Sequence, residues 1–206
     1  MRKPLVLIGC LFFSYIAYGE TTVRVKRVID GDTLLLTNNT RVRLIGIDTP
    51  EVHPSEKLNQ DAARTRRDVQ VIQSLGRKSS EFVKKLVQGK SIRLEYEVAN
   101  KVTGHKDRHG RILAYVYFEP KDCGNLDFEL AEEVCERDSY EKGFLNALII
   151  EAGYARAFSR YPYKYLEPFR KLEQEARKEK RGLWKDKTME VKLVNEPLLR
   201  EKSSQQ

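Results

Sequence analysis

Apolar and polar residues alternate along the chain after residue 20. Alternation over residues 23–30 predicts a first strand that ends in an acidic segment. Two apolar runs follow, at residues 34–36 and 42–44, and the turn-forming pair Asn38–Asn39 separates them. The pattern therefore predicts a hairpin of a second and a third strand.

A helical period replaces this alternation between residues 55 and 88. The residues that recur every three to four positions are Ala62, Val69, Ile72, Ser79, Val83 and Leu86. This spacing predicts one helical segment with Gly89 at its C-terminal end. Gly76 is expected to bend the helix or to divide it in two.

The second half of the chain predicts two more strands and two more helices. Alternation over residues 92–96 favours a half-buried fourth strand, and residues 111–118 favour a fifth. Residues 145–152 predict a short helix, and Glu167–Pro168 opens a final one. The inward-facing residues of that final helix are expected to be Phe169, Leu172 and Ala176. Five short strands with about three helices predict an α+β fold built on a small barrel.

Residues 1–19 have the pattern of a secretory signal peptide, with two basic residues, an apolar run and a small-residue cleavage site before Glu20. The apolar run is too short for a comfortable membrane span. We therefore expect a secreted or periplasmic protein. The alternative is a lipid anchor at Cys10, because residues 7–10 are similar to a lipoprotein box.

The chain is basic, with a formal net charge of +8 and an isoelectric point near 9.3. Removal of residues 1–19 would leave it basic. A positive balance favours contact with polyanions, either nucleic acid or an anionic membrane surface. Charge alone leaves an ordinary solvated surface as the alternative.

Candidate chemistry lies at the ends of the predicted hairpin. Asp30 and Asp32 follow the first strand, and Asp48 and Glu51 follow the third. Four converging carboxylates repel one another unless a cation neutralises part of their charge, and oxygen ligands suit a hard ion such as Ca²⁺ or Mg²⁺. Arg43 stands beside them on a strand and is suited to bind a phosphate. Each fragment alone is more typical of a turn or a helix start.

A third segment, residues 107–115, favours a functional site over an ordinary turn or helix start. The three motifs in this order resemble the staphylococcal nuclease (thermonuclease) family. The matching residues are Ile29 to Thr33, Arg43 with Asp48 to Glu51, and Asp107 to Tyr115. The resemblance extends from about Val23 to Trp184 and implies a five-stranded Greek-key barrel of the oligonucleotide-binding (OB) type.

The resemblance also implies a Ca²⁺ site and a catalytic carboxylate. The expected ligands are Asp32, Asp48 and the backbone carbonyl of Thr49, with Asp30 in support. Glu51 is the expected general base, or the residue that orients the attacking water. Its position just after the ligands, on a constrained Thr-Pro turn, favours this role.

The remaining roles concern the substrate. Arg43 and Arg111 are expected to flank the phosphate and to stabilise the charge of the transition state. Arg108 and His109 replace the lysine–tyrosine pair of the family at a terminal-phosphate contact. Tyr161 matches one of the two tyrosines that the family places around the base.

Residues 20–186 are expected to form one domain, with an insertion at about 119–142 and a polar tail at 187–206. The insertion contains Cys123 and Cys135, which are expected to form a disulfide after export; two free thiols are the alternative.

These features predict a secreted, Ca²⁺-dependent nuclease that hydrolyses both DNA and RNA and prefers single strands. The family resemblance implies that its products have 3′-phosphate ends. No protein partner is implied, and a monomer is expected. One alternative is a noncatalytic nucleic-acid-binding barrel. Another is a membrane-tethered protein whose insertion binds a partner.

Overall fold

The computed structural model describes residues 22–66, 68–119 and 143–185. The predicted signal peptide, both cysteines Cys123 and Cys135, nearly all of the insertion and the polar tail lie outside these residues. The predictions made for them therefore stay predictions. Within the described part of the chain, no helix has the length and the apolar character needed to cross a membrane.

The alternating segments form strands, and five of them close into a barrel. The strands are β1 (Thr22–Asp30), β2 (Thr33–Leu36), β3 (Arg41–Leu44), β4 (Ile47–Asp48), β5 (Ser91–Glu95), β6 (Ile112–Phe118) and β7 (Arg156–Ala157). The order around the barrel is β1-β2-β3-β6-β5, and β4 pairs with β7 as a separate two-stranded sheet. All barrel neighbours are antiparallel except β3 and β6, which are parallel. This confirms the small OB-type barrel.

The predicted hairpin is confirmed, and local chemistry explains its turn. Asn39 has a positive φ of 62°, which asparagine tolerates better than most residues. The side-chain oxygen of Asn38 accepts a hydrogen bond of 3.0 Å from the backbone N–H of Thr40. The resulting register places Thr33 opposite Arg43.

The described residues contain four α-helices. This is one more than predicted, because the long helix predicted between residues 55 and 88 is divided into two helices. The helices are α1 (Glu56–Thr65), α2 (Val69–Val87), α3 (Leu145–Glu151) and α4 (Leu166–Lys178). α1 ends at Thr65 and α2 begins at Val69, so the chain does not break at Gly76. Arg66 adopts a left-handed conformation that ends α1, and the Asp68 carboxylate accepts a 2.6 Å hydrogen bond from the N–H of Gln70 at the start of α2.

The fourth strand ends one residue earlier than the alternation predicts. β5 ends at Glu95, after which the chain turns into a 3₁₀ segment, Val98–Thr103. Tyr96 is consequently 45% exposed, and its ring stacks on that of His105 at a centroid distance of 4.8 Å. Tyr96 continues the apolar alternation of β5, but its side chain does not lie on the buried face of that strand.

The core fills the barrel and continues onto α3 and α4. Val25, Leu34 and Ile92 are buried inside the barrel, and Tyr115 joins an aromatic group with Phe144. Three residues of α4 are buried as predicted, namely Phe169, Leu172 and Ala176. Leu183 and Trp184 also fold back onto the protein, in a second cluster.

Asn146 ties the loop after β3 to the barrel wall. Its buried amide accepts a 2.9 Å hydrogen bond from the N–H of Val116 and donates a 2.8 Å bond to the carbonyl of Ile45. Asn146→Ala would leave both backbone groups buried without a partner and should lower the free energy of unfolding by about 2 kcal/mol. Urea denaturation measures this loss. Asn59→Ala, at an exposed position of α1, is the control, and equal effects of the two substitutions would contradict the assignment.

Candidate active site

Three neighbouring barrel strands, β2, β3 and β6, and the short strand β4 outside the barrel bring the predicted site residues together. Asp32 lies just before the start of β2, and Arg43 lies on β3 opposite Thr33. Parallel pairing places Arg43 beside Leu113 of β6, so that Arg111, just before β6, is brought to the same edge. The short strand β4 carries Asp48.

Asp32 is the buried centre of the site. Its Oδ1 accepts a 3.0 Å hydrogen bond from the Thr33 hydroxyl, and its Oδ2 accepts bonds of 3.2 Å from both the N–H and the hydroxyl of Thr49. The Arg43 Nη2 lies 3.0 Å from the same Oδ2. Burial by itself would raise the pKa of Asp32, but the cations Arg43 and Lys57 hold this pKa below its ordinary value. Asp32 is therefore ionised.

Asp30 lies in a different environment. Its Oδ1 accepts a 3.1 Å hydrogen bond from the N–H of Asp32. Burial, together with the charge of Asp32, raises the pKa of Asp30 to about 7. At neutral pH the Asp30 carboxyl is therefore partly protonated when no cation lies beside it.

Lys57 completes the charge balance, although it lies in none of the three sequence motifs. Its Nζ lies 2.7 Å from Asp48 Oδ1, 2.7 Å from Glu51 Oε1 and 3.4 Å from the carbonyl oxygen of Thr49. Burial would lower the pKa of Lys57, but the charges of Asp48, Asp32 and Glu51 raise it above its ordinary value. The ammonium is therefore charged and lies among the oxygens that were predicted to surround the metal.

These donors fit a hard divalent cation in their chemistry. They are carboxylate and carbonyl oxygens, the ligand type of Ca²⁺ and Mg²⁺, and the Lys57 ammonium shows that they accept a cation. Among the described residues, no three or more His, Cys, Asp or Glu side chains are already grouped as a metal cluster. The assignment of Asp32, Asp48 and Thr49 as ligands stays a prediction.

Arg111 is anchored by Asp107, a motif residue for which the sequence predicts no individual role. Its Nε lies 2.7 Å from Asp107 Oδ2, and Asp107 Oδ1 accepts hydrogen bonds from the backbone N–H groups of Arg111 and His109. Burial would raise the pKa of Asp107, but these bonds lower it. Arg111 Nη1 also lies 3.4 Å from the Thr33 hydroxyl. Thr33 thus connects Arg111 to Asp32.

The three predicted substrate contacts lie on exposed loops. Arg108 and His109 are exposed in the turn that follows Asp107, where Arg108 Nε donates a 3.1 Å hydrogen bond to His109 Nε2. Tyr161 is 63% exposed on the loop after β7, with its ring centroid 6.0 Å from that of Phe158. The structure does not bring Tyr161 into the ionic network around Asp32.

Helix α2 supports the loop that carries Glu51. A Cβ atom on Gly76 would lie 2.6 Å from the carbonyl oxygen of Pro50 and 2.7 Å from that of Glu51. Gln73 Nε2 donates a 3.0 Å hydrogen bond to the carbonyl of Val52. Gly76 therefore serves the close approach of helix and loop rather than a helix break.

Comparison with known proteins places these residues in context. The family model described as staphylococcal nuclease homologue matches residues 41–186. This match includes Arg43, Asp48, Glu51 and Arg111 but begins after Asp32.

Individual relatives extend the comparison. The chain is 31% identical over 171 residues to a thermonuclease of Staphylococcus hyicus, with 81% of this chain and 77% of that protein covered. It is 30% identical over 189 residues to an uncharacterized endonuclease of Escherichia coli, with 90% and 92% covered. It is 37% identical over 127 residues to a thermonuclease of Staphylococcus intermedius, with 54% and 64% covered.

Proposed function

This chain belongs to the staphylococcal nuclease family, and from that membership we propose that it is a Ca²⁺-dependent nuclease that hydrolyses phosphodiester bonds of DNA and RNA. The observation that carries the proposal is the ionic network in which the buried carboxylate of Asp32 and the half-buried carboxylates of Asp48 and Asp107 lie beside two guanidinium groups. Arg43 contacts Asp32 and Asp48, and Arg111 reaches Asp32 through Thr33. A protein that only bound a polyanion would have no need to place acidic side chains at its binding site.

Arg43 and Arg111 bind the phosphate in this proposal. Each guanidinium is tethered by an acid, Arg43 by Asp32 and Arg111 by Asp107, so its remaining N–H groups have a fixed direction. Two guanidinium forks held in this way stabilise the extra negative charge of the transition state without reorganisation. Contacts to phosphate rather than to sugar also suit a nuclease that accepts both DNA and RNA.

Glu51 accepts the proton of the attacking water or orients that water. Asp32, Asp48 and the carbonyl of Thr49 would hold the Ca²⁺ ion, which, when bound, supplies Lewis-acid activation of the phosphoryl oxygen and neutralises charge. Attack of the water on phosphorus forms one P–O bond and breaks the bond to the 5′ oxygen, which takes up a proton from solvent as it leaves. The products are a 3′-phosphate and a 5′-hydroxyl.

The substrate is proposed to be preferentially single-stranded. The exposed ring of Tyr161 offers a surface on which an unpaired base can stack, and such stacking tolerates any sequence. Arg108 extends the positive surface next to Arg111, and His109 lies beside it. The protein is further proposed to act outside the cell or in the periplasm, after removal of residues 1–19, as a monomer.

Digestion of single-stranded DNA with Ca²⁺, with Mg²⁺ and with a chelator tests the function. We expect cleavage in Ca²⁺, its loss on chelation and its return when Ca²⁺ is added back, because carboxylate and carbonyl oxygens are the donor type that Ca²⁺ takes. The fragments should accept a 5′ label from polynucleotide kinase without prior phosphatase treatment, as 5′-hydroxyl ends do. Binding of the strand without cleavage under every metal condition would instead identify a noncatalytic binding barrel.

A further inference from the structure

Lys57 has contacts that set it apart from an ordinary surface lysine. Its ammonium lies 2.7 Å from both Asp48 and Glu51 and 3.4 Å from the carbonyl of Thr49. Lys84 provides the comparison, because its side chain has the same exposure of 39% but pairs with the single carboxylate of Glu81 at 2.8 Å. Lys57 is therefore held by a cluster of oxygens and not by one partner.

The position of Lys57 in its helix supports the same conclusion. It is the second residue of α1, at the positive end of the helix dipole, where a cation is disfavoured. A lysine at such a site would ordinarily extend into solvent. The carboxylates Asp48 and Glu51 overcome this preference and draw the ammonium inward.

We propose that Lys57 is a built-in competitor of the divalent cation, whose ammonium binds Asp48, Glu51 and the Thr49 carbonyl until a metal ion displaces it. The inference rests on the proposed function, since Asp48 and Thr49 are the proposed ligands. Two cations cannot share these oxygens at 2.7 Å without strong repulsion. Metal binding must therefore move Lys57 away.

Displacement of Lys57 has a consequence for catalysis. Glu51 Oε1 lies 2.7 Å from the Lys57 ammonium, so this oxygen is not available to accept a proton from the attacking water. Departure of the ammonium frees Glu51 in the same step that loads the metal. Lys57 thus couples catalytic competence to the concentration of the divalent ion and sets a higher threshold for it.

Calorimetric titration of Ca²⁺ into the wild type, Lys57→Met and Lys84→Met tests the competition directly. We expect Lys57→Met to bind Ca²⁺ about tenfold more tightly or better, a gain equal to about 1.4 kcal/mol. Lys84→Met removes the same charge at the same exposure and should leave the Kd within about twofold, as expected for an exposed pair. Lys57→Arg retains the charge and should retain weak binding.

A second measurement uses the wild type and does not depend on the folding of a variant. Acylation of lysines by an amine-reactive ester, read by mass spectrometry, should modify Lys57 faster when Ca²⁺ is present, because the ammonium is released into solvent. The rate at Lys84 should not change. Lys57 reactivity that stays constant or falls on Ca²⁺ addition would overturn the proposal.

The two proposals fail in different ways. If Ca²⁺ supports cleavage but the Kd of Lys57→Met equals or exceeds that of the wild type, the competition is refuted and the nuclease assignment stands. If neither protein binds Ca²⁺ and chelation leaves cleavage unchanged, the Ca²⁺-dependent function is refuted, and the competition is refuted with it.

Discussion

Arg111→Lys is expected to lower kcat for single-stranded DNA by about 100- to 1,000-fold, the loss typical of removing one preorganised donor from a transition state. Lysine keeps the charge but cannot present a planar fork to the phosphate. It also cannot keep the geometry by which Arg111 binds Asp107 at 2.7 Å and reaches Thr33 at 3.4 Å. Steady-state kinetics with the Ca²⁺-loaded protein measures the effect.

Arg170→Lys is the matched control for this substitution. Arg170 is also tethered by an acid, Glu167 at 3.0 Å, but it lies on the exposed face of α4. We expect the kcat of the Arg170→Lys protein to equal that of the wild type. An Arg111→Lys protein that changed only KM would show that Arg111 binds the ground state and the transition state equally, contrary to the proposed role.

Glu51→Gln is expected to lower kcat by about 100- to 10,000-fold, the range usually lost with a general acid or base. Glutamine has nearly the same shape as glutamate but can neither accept the water proton nor carry the negative charge. The measurement is single-turnover cleavage at saturating Ca²⁺, which separates the chemical step from binding. Calorimetry in parallel shows whether the metal is still bound.

Glu56→Gln controls for the loss of a negative charge near the site. Glu56 is exposed in the first turn of α1, and its carboxylate accepts a 3.1 Å hydrogen bond from Gln60. Its cleavage rate should stay close to that of the wild type. A Glu51→Gln protein that cuts at the wild-type rate would remove Glu51 from the mechanism, and a loss that higher Ca²⁺ restores would make it a metal ligand instead.

The parts of the fold that follow local rules could be predicted from the sequence. The turn at Asn38–Asn39 and the inward face of α4 each depend on residues close together in the chain. The separation of α1 from α2 depends on a cap at Asp68 that competes with helix continuation, and the apolar spacing does not reveal such a competition. The predicted fourth strand included Tyr96 because the apolar alternation continues past Glu95, the last residue of β5 that pairs with β6.

The site residues also divide into those that sequence motifs predict and those that only the folded structure reveals. Asp32, Asp48, Glu51, Arg43 and Arg111 belong to sequence motifs, and the structure brings them together at one edge of the barrel. Lys57 belongs to no motif, and only the folded geometry places its ammonium between Asp48 and Glu51. Asp107 lies inside a recognised motif, but its role as the anchor of Arg111 becomes visible only when the turn at residues 107–110 is formed.

The parallel pairing of β3 with β6 has a consequence for how activity arises. It joins Arg43 to the strand that follows Arg111, across the whole segment that contains α1, α2 and β5. Contacts between such distant parts of a chain form late and cooperatively, because the entropy of closing the intervening loop is lost before the contacts form. A nascent or half-folded chain therefore has the residues of the nuclease site but no nuclease activity. On the proposed route of export, the cell that makes the protein would be protected from it by the unfolded state itself.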